Sequence, residues 1–505
     1  MDRSKQSQDE WTITSPDFLQ LNRADAPPGE LTSWLTRQLR DAIASGRLPV
    51  GSRLPASRVL ADELGVSRGV VTEAYQRLRE DGQLTGRGRA GTRVAAVPLG
   101  TATMPSAPTT AGLSRSLAAG GFEAFRDEPC RIDLSPGVPD LAAFPRHAWL
   151  RAERAVMDSV SPGSFRYGDP RGAPAFRTAV ASWLARNRGI PASPDQVVIV
   201  AGVAQAQAIL ARVLPAFGIT SIAVEDPGSL GSRQQLQRWG MQTPPVPVDD
   251  SGLRVDLLRD TGAGCVMLTP AHQFPTGVVL DGSRRRELRS WARDGGLIIE
   301  DDYDAEHRYD RPPVPALRAA LPERVCYTGS VSKLLAPALR TGWLLVPGEY
   351  QDAVVAAKRD ADLGNAVLPQ LTLAGLMASG ELERHLRLLR RRHVRRRDAM
   401  IAAVGEHLAG ARVHGAAAGL HLTVTFDGLP PGTDAEMAAA LLEEGVKVQP
   451  LSWHSQRDQR AGLVLGYAAS SPSDISEGIA VAGRVLRAGL CCRAASAVPG
   501  GRRLF

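Results

Sequence analysis

The segment Leu297-Ile298-Ile299-Glu300-Asp301-Asp302-Tyr303-Asp304 restricts the fold more than any other. Its first three residues read as a buried β-strand. The strand then runs directly into acids, and buried carboxylates are costly unless something pairs with them. The chain must therefore bring partners to this strand end from elsewhere. Similar apolar runs, Val197–Val200 and Ser221–Val224, alternate with amphipathic helical stretches from about residue 131 onward. Strands buried on both faces by helices read in this way, which predicts an α/β domain with a largely parallel sheet.

A second segment supplies one candidate partner. Lys is scarce in this Ala-, Arg-, Gly- and Pro-rich chain, yet Lys333 stands among small polar residues in Tyr327-Thr328-Gly329-Ser330-Val331-Ser332-Lys333, followed by Arg340-Thr341-Gly342-Trp343. A Lys with a desolvated amine can form a Schiff base with an aldehyde cofactor. Ser330 and Arg340 then read as phosphate ligands, a hydroxyl and a guanidinium fork. An Asp at a strand end, Asp301, can keep a pyridine nitrogen protonated, and Tyr303 can hydrogen-bond a ring hydroxyl. Alone, Lys333 would read as a surface residue, and the acids as a metal site or a structural network. Further segments fall in a fixed order around them: Leu134-Ser135-Pro136-Gly137, Tyr167-Gly168-Asp169-Pro170, Ala201-Gly202-Val203-Ala204-Gln205, Glu225-Asp226-Pro227-Gly228 and Thr269-Pro270-Ala271-His272-Gln273-Phe274-Pro275-Thr276-Gly277. In the third of these, a strand-to-helix turn can offer backbone N–H groups to a phosphate.

Residues 31–94 read differently. Leu31, Leu35, Leu39 and Ile43 recur every four residues and mark one face of a helix. A short helix follows, with Ser57 as its expected cap. Gly65 makes a turn, and Ser67 caps a third helix whose apolar face is Val70, Val71, Ala74 and Leu78. Two short helices joined by a Gly turn form a helix-turn-helix. Arg68, Thr72 and Gln76 occupy the outward face of the third helix, where base edges are read. Residues 83–94 then predict a hairpin carrying Arg87, Arg89 and Arg93, able to reach phosphate or a minor groove. The zone holds 11 Arg against 6 acids, most of the net charge of +7.

Between the two zones, Pro98, Pro105, Pro108 and Pro129 punctuate an Ala/Thr/Ser/Gly-rich linker, of roughly 30–35 Å root-mean-square reach if flexible. Cys130, Cys265, Cys326, Cys491 and Cys492 form no CxxC pair, so neither a zinc site nor a disulfide framework is expected, and a reducing compartment fits. Met1 to Glu10 lacks the apolar core of a signal peptide, and no apolar run has the length of a membrane span. The expected location is cytoplasmic, with no membrane partner.

Leu54-Pro55-Ala56-Ser57-Arg58, Leu64-Gly65-Val66-Ser67-Arg68 and Gly88-Arg89-Ala90-Gly91-Thr92 resemble the GntR-type winged helix-turn-helix. The ordered motifs from 131 to 485 resemble class I aminotransferases of fold-type I. The combination, with His272-Gln273-Phe274-Pro275-Thr276-Gly277, resembles the MocR family of regulators. The implied fold is multidomain: an α+β winged helix-turn-helix (26–94), a flexible linker (95–130), an α/β fold-type I PLP-dependent transferase domain with a small α/β C-terminal subdomain (131–490), and a disordered tail (491–505). The resemblance implies pyridoxal 5′-phosphate on Lys333 as an internal aldimine, Asp301 at the pyridine nitrogen and Tyr303 at the ring hydroxyl. It implies Ser330, Arg340 and the backbone of Val203 and Ala204 at the phosphate, and Tyr167 reaching the neighbouring subunit of a head-to-tail homodimer. Arg58, Ser67, Arg68, Thr72, Arg87, Arg89 and Arg93 would contact double-stranded operator DNA.

Three positions depart from the enzymes. Ser229 stands where an aromatic residue stacks on the ring. Phe274 takes the place of an Asn beside the ring hydroxyl. Val464 matches the Arg that clamps a substrate carboxylate, with Arg457 and Arg460 out of register. His272 is read as a structural residue near the ring, and Arg384 to Arg397 as a solvated helix face, with a DNA-facing role as the alternative. The function expected is a DNA-binding transcriptional regulator sensing PLP, or an amine or amino-acid effector through Lys333. The alternatives are a working aminotransferase with an accessory DNA-binding domain, and a degenerate domain kept for dimerisation.

Overall fold

The computed structural model describes residues 23–27, 30–45, 47–86, 91–95, 122–309 and 314–496. The chain divides into two units, with the boundary after Arg115. In the first, the four-residue repeat forms α1 (Leu31–Ala44), burying Leu35, Leu39 and Ile43 with Trp34. Next come α2 (Ser57–Leu64) and α3 (Arg68–Glu80). Gly65 joins them in the left-handed region, φ 60°, where a side chain would be strained. Ser67 caps α3, its hydroxyl accepting from the Val70 N–H at 3.4 Å. Ser57 does not cap α2. It is the first helical residue, and the extended backbone of a cap falls at Ala56, which has no side-chain acceptor. The apolar faces of the three helices close over Leu60, Val71, Ala74, Tyr75 and Leu78. The hairpin then forms as expected: β1 (Leu84–Gly86) pairs antiparallel with β2 (Thr92–Val94), adding Leu84 and Val94 to the same core.

The second unit contains β3 (Ile132–Asp133), then an eight-stranded sheet: β4 (Val198–Val200), β5 (Ile222–Asp226), β6 (Pro245–Asp249), β7 (Gly252–Leu253), β8 (Cys265–Leu268), β9 (Leu297–Asp301), β10 (Val325–Ser330) and β11 (Gly342–Leu345). Its order is β4-β11-β10-β9-β8-β5-β6-β7. The β10-β9-β8-β5-β6 stretch is parallel, while β11 is antiparallel to both of its neighbours. Successive residues serve opposite faces: Val198, Val200 and Leu344 join one apolar cluster, Ile199, Trp343 and Leu345 the other. Helices cover both faces, which is why these strands are apolar throughout.

A smaller antiparallel sheet follows, β12 (Ala411–His414), β13 (His421–Phe426), β15 (Gln449–Pro450) and β16 (Gly462–Gly466), in the order β12-β13-β16-β15. β14 (Val446–Lys447) pairs instead with β3. Helices Glu381–His407, Thr433–Glu443 and Pro472–Ser496 accompany this subdomain.

Two expected boundaries move. Helix Phe122–Asp127 lies inside the segment read as linker, anchored by Phe125, which is buried edge-on against Trp453 at 5.1 Å. The last helix runs to Ser496, so residues 491–496 of the expected tail are helical. Residues 96–121 of the linker and 497–505 of the tail lie outside the described residues.

Candidate cofactor site

All the parallel strands deliver their carboxyl ends to one edge of the sheet, where ligands of open α/β sheets bind. Strand alternation sorts the acids of β9 there. Glu300 turns to one face and accepts the Leu317 and Arg318 N–H groups at 2.9 and 3.0 Å. Asp302 is buried and accepts from Arg188 Nε and the Tyr327 hydroxyl, each at 2.5 Å. Those are the partners the acidic strand end demanded. Asp301 is the exception. Among the described residues, the Thr328 hydroxyl, at 3.4 Å, is the side chain that reaches its carboxyl, and it faces a cavity of about 530 Å³. Burial, with Asp302 beside it, pushes its carboxyl up to about 7.

Lys333 follows the end of β10 and lines the same cavity. Burial lowers its amine against the pull of Asp304 and Asp301. Its Nζ donates to the Gly137 carbonyl, and a Cβ at Gly137 would stand 3.1 Å from that nitrogen. A depressed amine is what imine formation requires. Ser330, Tyr303 and Phe274 line the wall with Lys333 and Asp301. At the far end of the site, Gly202 caps helix Val203–Val213, whose first N–H groups have no intrahelical acceptor. Arg340 donates to the Ala201 carbonyl and sits 3.2 Å from where a Gly202 Cβ would be. A glycine at φ 84°, a helix N-terminus, a guanidinium and the Ser330 hydroxyl together make an anion cradle.

The structure thus assembles Lys333, Asp301, Tyr303, Ser330 and Arg340 with Val203, Ala204 and Phe274 around one cavity. Their donor set fits a phosphorylated, protonatable aldehyde: an amine, an acid, a hydroxyl donor and an anion cradle line one cavity. Tyr167 is not among them and is 89% exposed. Ser229 lines the cavity, but its side chain caps the next helix, accepting from the Ser232 N–H at 3.3 Å. Val464 is fully buried in β16, paired with Thr423 and Gln449. Arg457 and Arg460 turn to Asp226 and Asp427, at 3.9 and 3.1 Å.

Sequence reasoning missed Arg126, Arg238, Gln449 and His454, all of which line the cavity. Arg126 fell within the segment read as linker; the aromatic pair Phe122 and Phe125 was the signal that this segment packs. The Arg-rich helix is not solvated on every side. Arg384, Arg387, Arg391 and Arg395 are solvated, but Arg392 and Arg396 turn inward to buried Asp140, at 2.6 and 2.8 Å.

On the first unit, Arg58, Ser67, Arg68 and Thr72 are exposed together around the start of α3. Arg93 is half-buried and donates to the Gly51 carbonyl at 2.9 Å. Arg87 and Arg89 lie outside the described residues. No helix among the described residues is long and apolar enough to cross a membrane.

Comparison with known proteins agrees with both units. Residues 31–94 match the family of bacterial regulatory proteins, gntR family, and residues 131–471 match aminotransferase class I and II. A probable rhizopine catabolism regulatory protein MocR of Rhizobium meliloti is 32% identical, covering 88% of this chain and 91% of that one. The HTH-type pyridoxine biosynthesis transcriptional regulator PdxR of Corynebacterium glutamicum is 34% identical, covering 79% and 84%. The kynurenine aminotransferase of Pyrococcus horikoshii, solved with PMP, superposes with a TM-score of 0.66 at 26% identity, covering 77% of this chain and 96% of that one. The second unit therefore has the fold-type I aminotransferase fold with pyridoxal phosphate as its cofactor, and the first is a DNA-binding domain. With both halves present in this order, the chain belongs to the MocR family of transcriptional regulators.

Proposed function

We propose that this protein is a regulator whose operator binding responds to what occupies the Lys333 cavity. The observation that carries the reading is an asymmetry. The residues suited to hold the cofactor are intact, while the position of the substrate-clamping Arg is Val464, buried in a strand, and its two neighbouring arginines are paired elsewhere. Bidentate carboxylate binding has no like-for-like substitute, so efficient transamination is not expected. Lys333 would hold the cofactor through an imine, with Asp301 facing the ring nitrogen and Ser330, Arg340 and the Val203 and Ala204 N–H groups on the phosphate. The signal is then PLP itself, or an amine that displaces Lys333 from it. The buried Val464 favours, for the second case, an amine without a standard carboxylate. In either case the ligand must bind one DNA-binding conformation better than the other.

Arg58, Ser67, Arg68 and Thr72 would face the operator. A head-to-tail homodimer is supported by Tyr167 and by Leu150, Met157 and Phe165, all exposed on one stretch of chain. Visible spectra of the protein with PLP, titrated with D- and L-amino acids and amines alongside an operator-binding assay, test this. A band that one compound shifts, with a parallel change in operator affinity, identifies the effector. A band unmoved by all of them, with operator affinity following PLP, identifies PLP as the signal. Sustained glutamate-dependent turnover of an oxo acid would overturn the regulator-only reading.

A further inference from the structure

His272 stands behind the cavity wall, its side chain fully buried. Its Nδ1 lies 2.9 Å from Asp304 Oδ2 and 3.0 Å from the Tyr303 hydroxyl. Asp304 can only accept, so the proton of this ring sits on Nδ1. The opposite tautomer would set a lone pair against the carboxylate. It would also bury an N–H at Nε2, which has no partner among the described residues, at a cost of roughly 1–3 kcal/mol. The Nδ1–H is therefore shared between Asp304 and the Tyr303 oxygen. The tyrosine's own proton has two places to go: the Asp304 carboxylate, which also lies within hydrogen-bond reach of this hydroxyl, and the cavity that Tyr303 lines with Lys333 and Asp301, where an anionic oxygen would take it.

The ring has no room to turn. A Cβ on Gly419 would come within 2.0 Å of His272 Cε1, and one on Gly277 within 3.1 Å of Nε2. Across from it lie the His421 ring, with centroids 5.2 Å apart, and Phe274, whose ring packs 6.2 Å from Tyr303. Phe274 carries no donor. Among the described residues packed on the His272 ring, Tyr303 brings an O–H that also lines the cavity.

We propose that His272, locked by Asp304, is a positioning residue that holds the Tyr303 oxygen so that the Tyr303 hydroxyl donates to the ring-hydroxyl oxygen of the cofactor, doing the work for which Phe274 has no donor. This rests on the reading of the Lys333 cavity as the cofactor site. A chain of two hydrogen bonds strengthens the outer one, because each donor polarises the next. A donor aimed at that oxygen stabilises the form of the cofactor that has lost its proton, and so lowers the pH at which the proton leaves. The charged and titratable groups facing this relay are Asp304, Asp301, Lys333, Glu225, His307 and His421; burial pushes the last down to about 3, which keeps it neutral.

The test is a pH titration of the visible band of the full-length, PLP-loaded protein. His272→Gln removes the donor at the Nδ1 position; His272→Asn keeps one there. His272→Gln is expected to move the midpoint up by about one unit, and His272→Asn to stay near wild type. Tyr303→Phe should raise the midpoint too, and adding His272→Gln to Tyr303→Phe should add nothing, since His272 acts through that hydroxyl. A midpoint unmoved in His272→Gln, or shifts that add in the double variant, overturns the proposal even if thermal stability falls. Should His272→Gln not fold, His272→Ala removes the same donor and carries the same expectations. A wild-type protein that forms no visible band with PLP would overturn the reading of Lys333, and this inference with it.

Discussion

Asp301 ends β9 and Lys333 follows the end of the neighbouring β10, and burial changes the titration of both, which can be measured. Lys333→Ala is expected to abolish the visible band formed with PLP while leaving the thermal transition of the apo protein within a few degrees; a retained band would remove Lys333 from the site. Asp301 gives a pH dependence. In the unfolded chain a carboxyl of this kind titrates near ~4, whereas burial holds it up to about 7 in the fold. Between those values the folded state binds the extra proton, so raising the pH through that window costs the apo protein stability. A cofactor with a protonated ring nitrogen opposite Asp301 supplies the missing positive charge. The rise in melting temperature on adding PLP should therefore be larger at pH 7.5 than at pH 5, and Asp301→Asn should remove the difference. Both residues were legible as chemistry in the sequence. That Asp301 rather than Glu300 or Asp302 faces the cavity is read from strand alternation together with the ends of β10 and helix Leu317–Ala320, where the neighbouring acids find their partners.

At the level of single elements, α3 carries the DNA-facing prediction. Arg68 is exposed at the first position of the helix, beyond the Ser67 cap. Arg68→Ala is expected to weaken operator binding by roughly 1–3 kcal/mol and binding to random DNA much less. Equal losses in fluorescence-anisotropy titrations on both DNAs would assign Arg68 to a phosphate. Helix Glu381–His407 carries the second. Its solvated arginines were evident from the run of charge, but two of its turns bury Arg396 and half-bury Arg392 against Asp140, which lies on the loop that also presents Gly137 to Lys333. Asp140→Ala leaves a buried guanidinium without its counter-charge and should cost roughly 3 kcal/mol, read by denaturant unfolding. It should also weaken PLP retention, because the loop it ties down is the one touching the Lys333 amine. Periodicity identified these helices and their faces. Periodicity says nothing about which arginine of a run meets an acid some 250 residues away.

For the molecule as a whole, the apolar cluster of the first unit lies entirely within residues 34–94, and the clusters of the second within residues 132–486. Two cores that share no residue predict two unfolding transitions in calorimetry. PLP should raise only the one belonging to the second unit, by about 2.7 kcal/mol of stability at a hundredfold excess over its dissociation constant. A single transition that moves as one would show that the units unfold together. The division into a helix-turn-helix and an α/β domain was plain from the chain, because helix caps, glycine turns and the periods of 3.6 and 2 are written within a few neighbouring residues. The order of motifs around Lys333 likewise points to the cofactor chemistry. What the chain could not express was which residues meet. Lys333 reaches Gly137 across 196 positions, Arg188 reaches Asp302 across 114, and a helix inside the presumed linker brings Arg126 to the cavity. Such meetings are set by how apolar faces pack, which depends on the summed burial of many side chains, and no local pattern of residues records that sum.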